Sequence, residues 1–149
     1  MKRMFCITVA VFTLALFLLT GCKGGEQGKI PRNTLATPEE TVKAYCELDA
    51  NGMRLTSTTW SKVLPYIAWQ EEAGWDRAII ISGVSVAKTG AQSDQKGTVM
   101  VEYQVLGILS QDYLPSRKTE SVQFQVRKTD AGWKITDPDF LPPHVYVKA

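Results

Sequence analysis

Val99-Met100-Val101-Glu102-Tyr103-Gln104-Val105 places an apolar side chain at every second position. That period is the mark of a strand with one face buried and one face in water. Working outward, the same alternation appears at Ile80, Val84 and Val86, at Val122, Phe124 and Val126, and at Trp133 and Ile135. Thr89 to Gly97 and Thr129-Asp130-Ala131-Gly132 have hairpin composition, and Ser110 to Lys118, which contains Pro115, reads as a longer loop. Four consecutive strands joined this way predict an antiparallel meander.

Before Ile80 the period is that of a helix. Thr37-Pro38-Glu39-Glu40 is a capping box: Thr37 caps, Pro38 suits the first helical position, and Glu40 reaches back to the cap amide. Val42, Tyr45, Cys46, Asp49 and Met53 then form a stripe, mostly apolar, and Asn51-Gly52 supplies a stop, which predicts a helix over Pro38 to Ala50. A second helical stretch, capped by Thr56 or Ser57, carries Trp60, Val63, Leu64 and Ile67 but is kinked or shortened by Pro65. Gln70 to Gly74 is an exposed turn. The predicted fold class is therefore α+β, with N-terminal helices packed on a curved four-stranded antiparallel meander, a conical roll. After Leu141-Pro142-Pro143, the tail Val145-Tyr146-Val147 is expected to lie extended across a sheet edge or a neighbour.

The 149 residues are 44% hydrophobic and 21% charged, which suits one globular domain. The formal charge of +2 includes Lys2 and Arg3; without them Lys+Arg falls from 17 to 15, matching the 15 Asp+Glu. No basic run exceeds the pairs Arg117-Lys118 and Arg127-Lys128, so nucleic acid is not an expected partner.

The first residues carry a location. Met1 to Arg3 is a cationic start, and Phe5 to Leu19 is apolar without a charge, about the length of a signal-peptide core and short of the roughly 20 residues of a membrane span. It ends in Leu19-Thr20-Gly21-Cys22, which resembles the lipobox of bacterial lipoprotein precursors. That resemblance implies cleavage after Gly21, so that residues 1–21 are the signal peptide, and acylation of the Cys22 thiol. The acyl chains, palmitate among them, would hold the chain to a membrane, each buried methylene contributing about 0.8 kcal/mol. Lys23 follows the cysteine where an Asp would favour inner-membrane retention, so the expected location is extracytoplasmic, on the periplasmic side of the outer membrane in a Gram-negative envelope. Residues 22–36 read as the lipidated cysteine and a Gly-rich tether with a reach on the order of 20 Å. With Cys6 removed and Cys22 consumed, Cys46 has no disulfide partner and is expected as a small buried hydrophobe.

The helix Thr37-Pro38-Glu39-Glu40-Thr41-Val42-Lys43-Ala44-Tyr45, the meander, and the closing Ala131-Gly132-Trp133-Lys134-Ile135-Thr136-Asp137 together resemble the nuclear transport factor 2-like superfamily, also called cystatin-like or SnoaL-like. The likeness covers roughly Thr37 to Asp139 and implies that residues 37–149 form a roll around a conical cavity. The superfamily holds isomerases, cyclases, dehydratases, dimerising scaffolds and non-enzymatic lipoproteins, so fold does not choose among them. Its enzymes place Asp, His, Tyr or Arg on cavity-facing positions, whereas the alternating faces here are mainly Val, Ile, Phe, Trp and Tyr.

The catalytic candidates are Asp137, which shares parity with Trp133 and Ile135, the single histidine His144, and Tyr103 as a hydrogen-bond donor. Asp137-Pro138-Asp139 equally reads as a strand end with an Asx turn, and His144 as a packing residue. Trp69 and Trp75, with the pair Asp76-Arg77, are the candidates for a ligand or partner rim. No Cys/His cluster suggests a metal, and no cofactor motif is present. The expected function is a lipid-anchored, non-enzymatic module that binds an apolar small molecule or an envelope protein. An isomerase or dehydratase-like enzyme is the alternative, and a homodimer through the open sheet face is a further expectation.

Overall fold

The computed structural model describes residues 31–90, 93–137 and 141–147, with only the backbone at position 88. The apolar leader, Cys22 and residues 23–30 of the tether lie outside the described residues, as does Asp139. Helix α1 spans Pro38–Ala50, and α2 is a four-residue turn, Ser57–Trp60, followed by a 3-10 turn at Leu64–Tyr66. The strands are β1 (Ala78–Thr89), β2 (Lys96–Leu109), β3 (Tyr113–Thr129), β4 (Gly132–Ile135) and β5 (His144–Tyr146). They form one sheet in the order β4-β3-β2-β1-β5, antiparallel except for the β1–β5 pair.

The predicted class needs correction. The described chain is 45% strand and 18% helix, a curled five-stranded mixed half-barrel around one real helix, not several helices on a four-stranded antiparallel meander. Three causes account for the difference. The second helix is cut to one turn because Ser57-Thr58-Thr59 competes for its own backbone through hydroxyl bonds, Thr59 Oγ1 donating to the Met53 and Thr56 carbonyls, and Pro65 leaves only a 3-10 turn beyond it. Ser110 to Lys118 is not a long loop: the turn closes by Asp112 and β3 begins at Tyr113, with Pro115 opposite Gly107 at a register shift. Proline is tolerated there because β4 reaches only Val126 to Thr129, leaving that stretch of β3 on an edge. Finally, the tail supplies the fifth strand, pairing Ile79, Ile80 and Ile81 with His144, Val145 and Tyr146 in parallel.

Helix α1 follows its sequence signals closely. The Thr37 side chain accepts from the Glu40 amide and the Glu40 carboxylate accepts from the Thr37 amide, so both halves of the capping box are made. The helix packs against all five strands. Its stripe of Val42, Tyr45, Cys46 and Ala50 meets Val99, Val101, Tyr103, Phe124, Val126, Trp133 and Ile135 in the core. Each such aliphatic or aromatic side chain contributes about 1.5–3 kcal/mol through burial. Shifts of register in β1 at Ile80/Ile81, Ile81/Gly83 and Val86/Lys88 bend that strand and curl the sheet over the helix.

The ordered domain also takes in residues expected in the tether. Asn33 is buried and its amide nitrogen donates to Thr41 Oγ1 and the Trp133 carbonyl, each at 2.8 Å, while its backbone N–H donates to the Ala131 carbonyl. Gly132 sits at φ +97, and a Cβ there would strike the Asn33 carbonyl. Lys134 is buried with its ammonium donating to the carbonyls of Pro31, Leu64 and Pro65 at 2.6–3.2 Å. That single charge ties the incoming chain and the 3-10 turn to β4.

Candidate functional site

Beneath β5 the helix carries a carboxylate on its apolar stripe. Asp49 is 1% exposed, and its Oδ2 accepts from Arg54 Nη1 at 3.2 Å and from the His144 backbone N–H at 3.1 Å. Arg54, 6% exposed, donates its second amino group to the Leu141 carbonyl at 2.9 Å and lies over the rings of Trp75 and Tyr45 at 4.8 and 5.7 Å. The ion pair thus fastens the tail to the loop that follows α1. On the other side, the His144 imidazole stacks on Tyr103 with centroids 4.0 Å apart, and Tyr103 Oη lies 3.2 Å from Cys46 Sγ.

Among the described residues, the buried side-chain polar atoms without a hydrogen-bond partner are Asp49 Oδ1, Arg54 Nε, Trp75 Nε1 and His144 Nε2. All four belong to this one cluster. Buried polar groups are almost always paired, so a concentration of incompletely satisfied ones marks the place where the fold has given up stability. The ionisation of the groups follows from burial. Desolvation raises Asp49 to about 6 against the opposing pull of Arg54 and the His144 amide. Desolvation lowers His144 to about 4, with Glu120 acting in the opposite sense. Burial pushes both Tyr45 and Tyr103 upward and lifts Cys46 to about 12, the Tyr103 hydroxyl only partly offsetting it.

Cys46 is therefore a buried free thiol held protonated. In the folded protein its alkylation by iodoacetamide is expected to be negligible at pH 8, becoming complete once urea unfolds the chain. Rapid native-state labelling of Cys46, read by mass spectrometry, would contradict this description.

The catalytic candidates divide. Tyr103 and His144 come together, but at 1% and 2% exposure, and no described cavity is lined by either. Asp137 lies half-buried just past β4, whereas β5 forms the opposite edge of the sheet. Sequence reasoning missed Arg54 as a site residue and took Asp49 for a stripe member. The readable signal was a carboxylate at an otherwise apolar stripe position with an arginine five residues on, since such a group must find a buried partner.

Three of the four rim candidates lie in one region. Trp75, Asp76 and Arg77 line a cavity of about 270 Å³ with Arg54, Leu55 and Leu109. A second cavity of about 330 Å³ shares Asp76 and Ser110 and adds Asp112 and Leu114. Around them Leu55, Leu109, Tyr113 and Leu114 are 50%, 45%, 48% and 58% exposed. Trp69, by contrast, is half-buried and packs on the core.

No family model, curated protein or solved structure matches this chain. The likeness to nuclear transport factor 2-like proteins thus rests on the motifs of Thr37 to Asp139 alone. Among the described residues no helix is long and apolar enough to cross a membrane, and no group of His, Cys, Asp or Glu is placed to hold a metal.

Proposed function

We propose that this chain is a lipid-anchored envelope protein, exported by residues 1–21 and acylated at Cys22, whose domain is a non-enzymatic module that binds a protein partner. The observation that carries the binding part is the apolar tip formed by Leu55, Leu109, Tyr113 and Leu114 beside Trp75, Asp76 and Arg77. Apolar side chains rimmed by charge are the composition of a docking patch, with Trp75 as its aromatic anchor. Tyr45, Trp60, Phe124 and Trp133 pack on the helix side of the sheet, where a cavity of about 350 Å³ remains beside Cys46, Val84, Val86 and Tyr146; the exposed apolar side chains of the tip are what favour a protein partner over a small molecule held there. The sealed positions of Tyr103 and His144 argue against the isomerase-like alternative.

A photoreactive side chain placed at Leu55 of the full chain, in its own envelope, tests this reading. The expected result is one discrete adduct with another envelope polypeptide, lost when Trp75 is replaced by Ala and when Asp76 and Arg77 are reversed in charge. No adduct at Leu55, or an adduct equally strong from Gln104 on the opposite sheet face, would contradict it.

A further inference from the structure

Strand β3 is paired unequally along its two sides. It runs from Tyr113 to Thr129 and pairs with β2 from Lys96 to Leu109, but β4 pairs only with Val126 to Thr129. Beyond β4, the Thr136 N–H donates to the Gln125 carbonyl at 2.9 Å on that side. Among the described residues nothing pairs with the edge from Tyr113 to Gln123. Because Gln125 turns its carbonyl to the β4 side, alternation directs the backbone groups of Gln123, Ser121 and Thr119 the same way, and all three side chains are exposed; the register shift that sets Ser116 and Arg117 together opposite Leu106 ends that alternation. Unpaired strand edges are templates for another strand, and proteins that do not use them shorten or cover them.

We propose that this edge pairs, antiparallel, with the same edge of a second copy about a twofold axis at Thr119. Of the symmetric registers along this stretch, centring on Lys118 or on Glu120 sets two like charges against each other. Centring on Ser121 would need the Gln125 carbonyl, already taken by Thr136, and would set Lys118 against Phe124. Centring on Thr119 makes the two Thr119 residues a hydrogen-bonded pair and sets Lys118 of each copy opposite Glu120 of the other. Pro115, which has no N–H, then ends the ladder. Lys118 and Glu120 sit 3.1 Å apart on the same face of β3, 54% and 28% exposed, so both charges are displayed beside the edge. Opposite charges across a strand pair favour a register and like charges oppose it. The edge is thus complementary to itself, which favours a second copy over an unrelated strand.

The full chain in its native envelope carries the test. Thr119→Cys brings two thiols to the axis, where Cα atoms about 5.5 Å apart are within reach of a short bismaleimide. The expected product has twice the mass of one chain and is absent from the parent and from Gln104→Cys. Lys118→Glu is expected to abolish that product, and the exchange Lys118→Glu/Glu120→Lys to restore it. No product at Thr119, a product of a different mass, or a charge exchange that fails to restore the product would each overturn the proposal.

Discussion

Replacing Arg54 by Met is expected to lower the unfolding free energy by about 3–5 kcal/mol, the usual cost of removing one partner from a buried ion pair. The methionine keeps the apolar stem against Trp75 and Tyr45, so the loss reports on charge rather than packing. Asp49 would be left 1% exposed with only the His144 amide to stabilise its negative form, and the Leu141 carbonyl would lose its donor. Removing both charges in Asp49→Leu/Arg54→Met is expected to be much milder than either single change, because two apolar groups need no partner. Urea unfolding at pH 7 measures both. Equal losses in the single and double variants would mean that the two side chains act independently and that the tail is not held by this pair.

Stability of Asp49→Asn is expected to rise by about 3 kcal/mol between pH 4 and 6.5, while the parent stays nearly flat across the same window. Burial shifts the two groups in opposite directions. Asp49 moves from 3.8 unfolded to about 6 folded, so its contribution is present below the unfolded value and is lost as pH rises through 6. His144 moves from 6.5 to about 4, so its contribution is present above 6.5 and is lost as pH falls through 4. Between those limits folding adds a proton to the carboxylate and removes one from the imidazole, and the net uptake is close to zero. Asparagine deletes the first process and exposes the second. Unfolding free energies at half-unit pH steps would show it, and a parent curve as steep as that of the variant would refute the compensation.

Much of the fold was legible where structure is local. The α1 boundaries follow from Thr37, Pro38, Glu40 and Asn51-Gly52, all within a turn of the helix ends, and the four longer strands follow from alternation that a single buried face imposes. What escaped the sequence depends on contacts far along the chain. The tail after Pro143 reads as an extended segment across a sheet edge and forms one there, but its parallel pairing with Ile79–Ile81 and its anchor on the Asp49 carboxylate, 95 positions earlier, leave no signal in three residues. Pro115 reads as a loop residue until its place on an edge is known. The second helix is shortened further than its spacing suggests: Trp60, Val63, Leu64 and Ile67 have helical spacing, yet Thr59 and Pro65 leave one α turn and a 3-10 turn. At the site, Tyr103 and His144 were each visible as residue types, but their stacking was not, and Arg54 was invisible without its partner. The rim residues Trp75, Asp76 and Arg77 could be named together because they are contiguous; their neighbours Leu109 and Leu114 come from a hairpin more than thirty residues away.

Whether Cys22 is the acylated first residue is read directly by intact-mass analysis of the chain extracted from membranes. The expected species lacks residues 1–21, begins at Cys22 and carries the added mass of its acyl chains, and Cys22→Ser abolishes both changes. An unacylated chain that still begins at Met1 and is recovered from the cytosol would contradict it.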